Sequence, residues 1–313
     1  MHDGGMTDDD HRWEPAGLAG LSNPRPLTGG VASPSVVRAD WSGQDVVVKR
    51  TSRSELAVLQ LFADLDEPML PRLLASGVDD AGPWIVTVFH PGRPVDLMGE
   101  LPAEAHRCMG RVHARFHCRA TGITDDLDVV DRGFVHRALA GFGIEQLERA
   151  RPVIGESLYD RGARLLAELA ADEEFCTAVA DFTPTLLHGD LYGSNVLQPT
   201  DQESSPLIID WGAARIGPAM FDVAMTSSYD SAARRAHDDG WAEIAGSAPD
   251  PGENELAHAW SEVMIRAIFA GTVAVRSSVA DGEQMIIGAE TAVTGFRRLR
   301  GRRQTKATVE SGS

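Results

Sequence analysis

The spacing of apolar positions changes several times along the chain, and each change marks a different kind of element. Residues 1–20, opening MHDGGMTDDDH, show no apolar period. They predict a disordered extension over 1–24 that carries no chemistry. From Pro26 the pattern turns to β-type runs, SVVRAD and DVVVKR around W-S-G-Q, which predict a hairpin with Gly43 at its tight position. Ser52 or Ser54 caps a helix predicted through ELAVLQLFADL, where Leu56, Leu59 and Phe62 recur at helical spacing and Pro68 follows. RLLASGVDD turns through AGP into WIVTVF as a further strand pair, and His90-Pro91-Gly92 breaks the chain. Residues 25–92 therefore read as a small antiparallel sheet with one helix.

Past this break the period becomes helical. LPAEAHRCMGRVHARFHCRA places Ala105, Met109, Val112 and Phe116 on one face, and helical stretches near 134–150 and 156–180 lead to Pro184. Two short apolar runs, TLLHGDL and PLIID, flank the polar loop PTDQES and predict a β-hairpin inside a helical domain, which draws attention to a site. From Ala219 to Arg300 the pattern is helical again, broken by a Gly-, Asp- and Pro-rich stretch at 246–252, and 301–313 reads as a flexible tail. No internal repeat is visible.

Composition narrows the classes. The 313 residues, 43% hydrophobic and 24% charged, suit a globular protein of two lobes, and no uncharged apolar run nears the roughly 20 residues a bilayer requires. Three cysteines, Cys108, Cys118 and Cys176, without C-x-x-C spacing give neither a disulfide framework nor a zinc ribbon. With no secretory signal at the N-terminus, a reducing, cytoplasmic setting is expected. A net charge of -17 disfavours nucleic acid and anionic membrane as partners and favours encounter with a cation, although solubility alone also accounts for it. The run from Arg297 to Arg303 is basic, and reads as the favourably charged end of a helix rather than a nucleic-acid contact.

The chemistry gathers around the predicted hairpin. His188-Gly189-Asp190-Leu191-Tyr192-Gly193-Ser194-Asn195 follows one run, and Asp210 ends the next in Ile-Ile-Asp-Trp-Gly. Phosphoryl transfer requires such a set: an Asp to take or orient the proton of an attacking hydroxyl, and an amide oxygen with a carboxylate to hold Mg²⁺.

In order and spacing, H-G-D-x-x-x-x-N followed fifteen residues later by I-D-W-G resembles the aminoglycoside phosphotransferase and choline kinase superfamily, whose fold is that of the protein kinases. The resemblance spans about residues 25–295, with its specific motifs confined to 186–224. It implies an α+β, bilobal protein-kinase-like fold: an N-terminal nucleotide-binding lobe and hinge over 25–92, and a larger, mainly helical catalytic and substrate lobe over 93–300. It makes Asp190 the catalytic base, Asn195 and Asp210 the metal ligands, and His188 a structural support of the loop. Gly217-Pro218 to Ala224 resembles a segment in which the Asp, here Asp222, braces that loop.

In the N-terminal lobe Lys49 stands where the resemblance expects a lysine on the inner phosphates of ATP or GTP. Glu55 is placed to pair with it, as a helix glutamate does in kinases, or to compensate the helix dipole at a first turn. Gly29, Gly30 and Ser33 occupy the place of the phosphate-covering loop, for which a surface turn is the other reading. Residues 88–92 fit the hinge. His113 and His117 share a helix face, and packing is the better reading than metal binding.

The expected activity is transfer of a γ-phosphate from ATP or GTP, with Mg²⁺, to a hydroxyl of a small molecule. The acceptor is an antibiotic, an aminoglycoside or another sugar-bearing drug, and the alternatives are an amino sugar, ketosamine or amino alcohol of metabolism, or a catalytically dead nucleotide-binding module. Asp230, Asp238, Asp239, Glu243, Asp250, Glu253 and Glu255 crowd the region expected near the acceptor, opposed in sequence by Arg234 and Arg235; a cationic acceptor suits them, and so does a solvated acidic surface. A monomer or homodimer is expected, with no nucleic-acid or membrane partner.

Overall fold

The computed structural model describes residues 15, 18–27, 36–96, 99–117, 125–200 and 205–311. The chain forms two compact units, one of Met1–Ala105, Thr124–Leu127 and Asp190–Ala214, the other of His106–Ile123, Asp128–Gly189 and Arg215–Ser313. The architecture is α+β, with an antiparallel N-terminal sheet and a larger helical part.

The first unit is built on a five-stranded antiparallel sheet: β1 (Leu21–Pro26), β2 (Val36–Trp41), β3 (Gln44–Arg50), β4 (Leu73–Asp79) and β5 (Gly82–Val88), in the order β1-β2-β3-β5-β4. Trp41 and Gln44 close the β2–β3 hairpin around Ser42 and Gly43, whose φ values of 52° and 78° put both central residues in the left-handed region. This two-residue turn matches the twist of the strands it joins. Ala39, Val46, Val48, Trp84 and Val86 bury one face of the sheet, with Leu18 against them. Lys49, one residue on from Val48, therefore falls on the opposite face. β1 begins inside the stretch that the sequence marks as extension. Its run LSNPRP leaves five of six residues exposed, so it is an edge strand with no apolar alternation to read.

After β3 comes α1 (Arg53–Phe62), capped by Ser52, whose hydroxyl accepts the Glu55 N–H at 3.1 Å. Glu55, Val58, Leu59 and Phe62 recur at i, i+3, i+4 and i+7 and make its buried stripe. A second, three-stranded sheet in this unit orders β10 (Leu207–Ile208), β9 (Val196–Pro199) and β6 (Gly92–Pro94), all antiparallel.

This pairing differs from the hairpin expected of TLLHGDL and PLIID. The partner of β10 is β9, whereas the TLL run is β8 (Pro184–Leu187), paired in the second unit with β11 (Arg215–Pro218), which also holds β7 (Asp128–Val129) in parallel. Runs this short carry no period that could assign their partners.

The second unit takes α2 (Ala103–Phe116) from His106 onward, then α3 (Arg132–Arg137), a π-helical turn at Ala138–Gly143, and α4 (Ile144–Ala171). Gly155, with φ 77° and ψ 165°, breaks α4 near the boundary that the sequence pattern suggests, but the helix ends at Ala171 and not at 180. The short α5 (Glu173–Thr177) precedes β8. α6 (Met220–Thr226), α7 (Ala232–Ala245), α8 (Pro251–Arg276) and α9 (Val279–Ser311) complete the chain, α9 staying helical through 301–311, where the sequence suggests a tail. Trp260 of α8, fully buried, packs between Phe175 and Phe182. α2 and α7 cross at two glycines: a Cβ on Gly110 would lie 2.0 Å from the His237 carbonyl oxygen, and one on Gly240 2.0 Å from that of Arg107. Cys108 and Cys176 are free and buried, and Cys118 lies outside the described residues. Among the described residues no helix is long and apolar enough to cross a membrane.

Candidate active site

Asp190, Asn195, Asp210, Lys49 and Glu55 all fall in the first unit. From Asp190 the chain makes tight local bonds: the Tyr192 N–H donates to the Asp190 carbonyl at 2.9 Å and the Asn195 N–H to the Tyr192 carbonyl at 2.9 Å. The turn at Gly193 passes so close to Asp96 that a Cβ there would sit 2.0 Å from its carbonyl oxygen. Asn195 is buried, and its amide nitrogen donates to the Asp190 carbonyl at 2.7 Å and to Asp190 Oδ2 at 3.1 Å. The nitrogen thus faces Asp190 and leaves the amide oxygen as the group to meet a cation. Burial, together with the Asp190 carboxylate, pushes the neighbouring Tyr192 phenol well above its ordinary range, so the phenol stays neutral.

The Ile209 N–H donates to the Asn195 carbonyl at 2.8 Å, which places Asp210 beside this turn. Asp210 holds a left-handed backbone, φ 63°, uncommon for a residue with a Cβ. Trp211, fully buried, fixes the bend: its indole N–H donates to the Ile208 carbonyl at 3.1 Å, and its ring stands edge-on to Phe62 of α1 at 4.7 Å.

Lys49 lies 2.8 Å from Glu55 Oε2 and 2.7 Å from Asp210 Oδ1. Burial works to lower its pKa, but the two carboxylates outweigh it and hold the ammonium above its ordinary value. Glu55 occupies the third helical position after Ser52, where a glutamate commonly folds back on the cap. Here its carboxylate instead takes Lys49 and the Thr51 hydroxyl. Asn195 and Asp210 offer hard oxygen donors, the kind that Mg²⁺ accepts from protein alongside water and phosphate oxygens. Among the described residues no group of three or more His, Cys, Asp or Glu side chains is arranged to hold a metal.

His188, Gly189 and Asp222 belong to the second unit. Asp222 is fully buried and accepts the backbone N–H groups of His188 at 2.7 Å and Gly189 at 2.9 Å. His113 Nε2 lies 3.2 Å from the same carboxylate, and His113 Nδ1 lies 2.9 Å from His237 Nε2. His237 Nδ1 in turn faces Asp238 at 3.3 Å, and Asp238 is paired with Arg234. Burial alone would raise the Asp222 carboxyl, yet the bond from His113 and the surrounding donors hold it below the ordinary range. His113, which the sequence marks as packing, is thus a polar partner of Asp222. His237 carries no mark in the sequence at all, because its partner lies 124 residues away.

The acidic residues of 230–255 are largely engaged, and not by Arg234 alone. Asp239 pairs with Arg107, Glu243 with Arg107 and Arg111, and both arginines come from α2. Asp250 caps α8, and Glu253 accepts the Thr183 N–H. Gly29, Gly30 and Ser33 lie outside the described residues. At 88–92 the Phe89 N–H donates to the Asp45 carbonyl at 3.0 Å and the chain enters β6.

Residues 24–257 match the model of the phosphotransferase enzyme family. A search of curated proteins finds no match to the sequence. Among solved structures, an aminoglycoside phosphotransferase from Alicyclobacillus acidocaldarius is similar, with a TM-score of 0.54, 16% identity, and coverage of 92% of this chain and 94% of that one. A GDP complex of a mutant aminoglycoside 2'-phosphotransferase gives 0.51 at 16% identity, covering 91% and 93%. Plasmodium vivax ethanolamine kinase gives 0.50 at 11% identity, covering 88% and 83%. The fold is accordingly that of the protein-kinase-like phosphotransferases. The chain belongs to the phosphotransferase enzyme family.

Proposed function

We propose that Asp190, Asn195, Asp210, Lys49 and Glu55 are the reacting centre for transfer of the γ-phosphoryl group of ATP or GTP to a hydroxyl of a small molecule. The observation that carries this reading is the bridge from Lys49 to both Glu55 and Asp210, next to an Asn195 amide whose nitrogen is committed to Asp190. Asp190 takes the hydroxyl proton as the acceptor oxygen bonds to the γ-phosphorus, and the bond to the bridging oxygen breaks to leave a nucleoside diphosphate. Lys49 stays cationic at neutral pH and is held by Glu55 to meet the inner phosphates. Asn195 and Asp210 would hold Mg²⁺, which when bound offsets phosphate charge. Asp222, with His188 and Gly189, is a positioning group for the residue that follows them, Asp190.

The acceptor assigned here is a sugar-bearing antibiotic outside the polycationic aminoglycosides, because the carboxylates of 230–255 that would draw a polycation or an amino alcohol are largely committed to arginines, caps and backbone N–H groups. Mass spectrometry of candidate antibiotics, amino sugars and amino alcohols incubated with the protein, Mg²⁺ and either nucleotide tests this by an added phosphoryl group. Asp190→Ala is expected to lower turnover by about 10²–10⁴-fold while keeping the nucleotide-dependent thermal shift, and Asp210→Ala to lose that shift. Near wild-type turnover in Asp190→Ala would refute its role.

A further inference from the structure

Within the second unit, α3, the π-helical turn, β7, β11, α6 and α8 line a half-open cavity of about 290 Å³. Its lining is unlike a site for a polycation. Four phenylalanines face it, Phe134, Phe142, Phe221 and Phe269. Phe142 is 40% exposed, a poor position for so large an apolar ring, and its partner is Phe269, edge-on at 5.6 Å. The π-helical turn is what carries Ala138 and Phe142 into the lining. Such one-turn widenings are rare and concentrate at functional sites. Gly189, the residue that immediately precedes Asp190, lies in the same wall.

The charged residues of the lining set the sign. Arg137 and Arg215 stand against a single carboxylate, Asp128, and Arg215 is opposite Asp128 in the β11–β7 register. The Arg215 guanidinium also sits 5.0 Å from the centroid of Phe134. The Phe134 ring therefore already holds a cation, which repels a second one there. Arg137, exposed on α3, adds positive charge at the cavity, and none of the acidic residues of 230–255 reaches the lining. The volume lies at the low end for small-molecule sites and suits one substituted or fused ring system.

We propose that this cavity takes a flat apolar ring of the acceptor, aryl or fused-ring in type, bearing an anionic or neutral group, and that it rejects quaternary ammonium compounds and polycations. The proposal rests on the assignment of Asp190 as the base that meets the acceptor, and its test separates the two. The probes are a hydroxymethyl-naphthoate and the trimethylammonium compound of the same ring, with kanamycin as polycation. Binding is measured by titration calorimetry without nucleotide, and phosphoryl transfer by mass spectrometry with Mg²⁺ and ATP or GTP.

The naphthoate is expected to bind about tenfold or more tightly than its cationic counterpart, Arg137→Glu to erase that preference, and Phe142→Ala to weaken both. Both substitutions fall on exposed side chains, and an unchanged thermal midpoint verifies the fold. Equal or tighter binding of the ammonium compound overturns the proposal, as does a preference that survives Arg137→Glu with the fold intact. If the naphthoate preference holds but no hydroxyl compound is ever phosphorylated, the kinase assignment fails and the cavity proposal stands. If kanamycin is phosphorylated and the naphthoate does not bind, the cavity proposal fails and the kinase assignment stands.

Discussion

Asp222 shows how much can depend on one carboxylate. It is fully buried, and its charge is compensated by two backbone N–H groups and His113. His113→Leu removes one of these donors and is expected to cost about 2 kcal/mol of stability. A thermal or denaturant melt measures that loss, and turnover should fall with nucleotide binding retained, because the N–H groups held by Asp222 lead directly into Asp190. From Asp222 to Asp238 there are three polar contacts through two imidazole rings, and each contact needs a proton. Burial holds the His237 pKa below its ordinary value, and its contact with Asp238, at 3.3 Å, is the longest of the three. The sequence marks Asp222 as a brace of the loop but not its histidine partners, since 109 residues separate His113 from Asp222. The grouping of Asp190, Asn195 and Asp210 was legible, because the bonds that join them are local: Tyr192 to Asp190, Asn195 to Tyr192, Ile209 to Asn195.

At the scale of elements, strong local signals carried and weak ones did not. The S-x-x-E start of α1 and the Ser42-Gly43 turn are specified by the residues that form them. β1 is a polar edge strand, β8 and β10 are too short for their partners to be read, and no composition announces a π-helical turn at 138–143. The turn at 193–195 has as little room as the α2–α7 crossing. Gly193→Ala drives a Cβ into the Asp96 carbonyl, so the turn must move and take Asn195 with it. Turnover is expected to drop by more than about tenfold, beyond what the change in thermal midpoint explains. A variant with wild-type kinetics would mean that the turn tolerates displacement.

Over the whole molecule, buried histidines set the response to acid. Burial lowers the pKa of His106 to about 4, and burial likewise lowers His237 and His258. In the unfolded chain these rings titrate near 6.5, so below that pH the unfolded state binds protons that the folded state refuses. The stability they contribute is complete above about pH 6.5 and declines toward pH 4, and thermal midpoints measured across that interval should fall steadily, with His106→Leu flattening part of the slope. A midpoint that stays level from pH 7 to pH 4 would contradict this. The division of the chain into units has a different consequence, for synthesis. The first unit is assembled mainly from Met1–Ala105 and Asp190–Ala214, with most of α2 and all of α3, α4 and α5 of the second unit made between them. On the ribosome the five-stranded sheet can form early, but β9, β10 and the residues Asp190, Asn195 and Asp210 arrive only after some eighty further residues have emerged. An N-terminal fragment of 105 residues therefore carries Lys49 and Glu55 yet leaves β6 unpaired, and the ammonium lacks its second carboxylate until the chain is two-thirds complete.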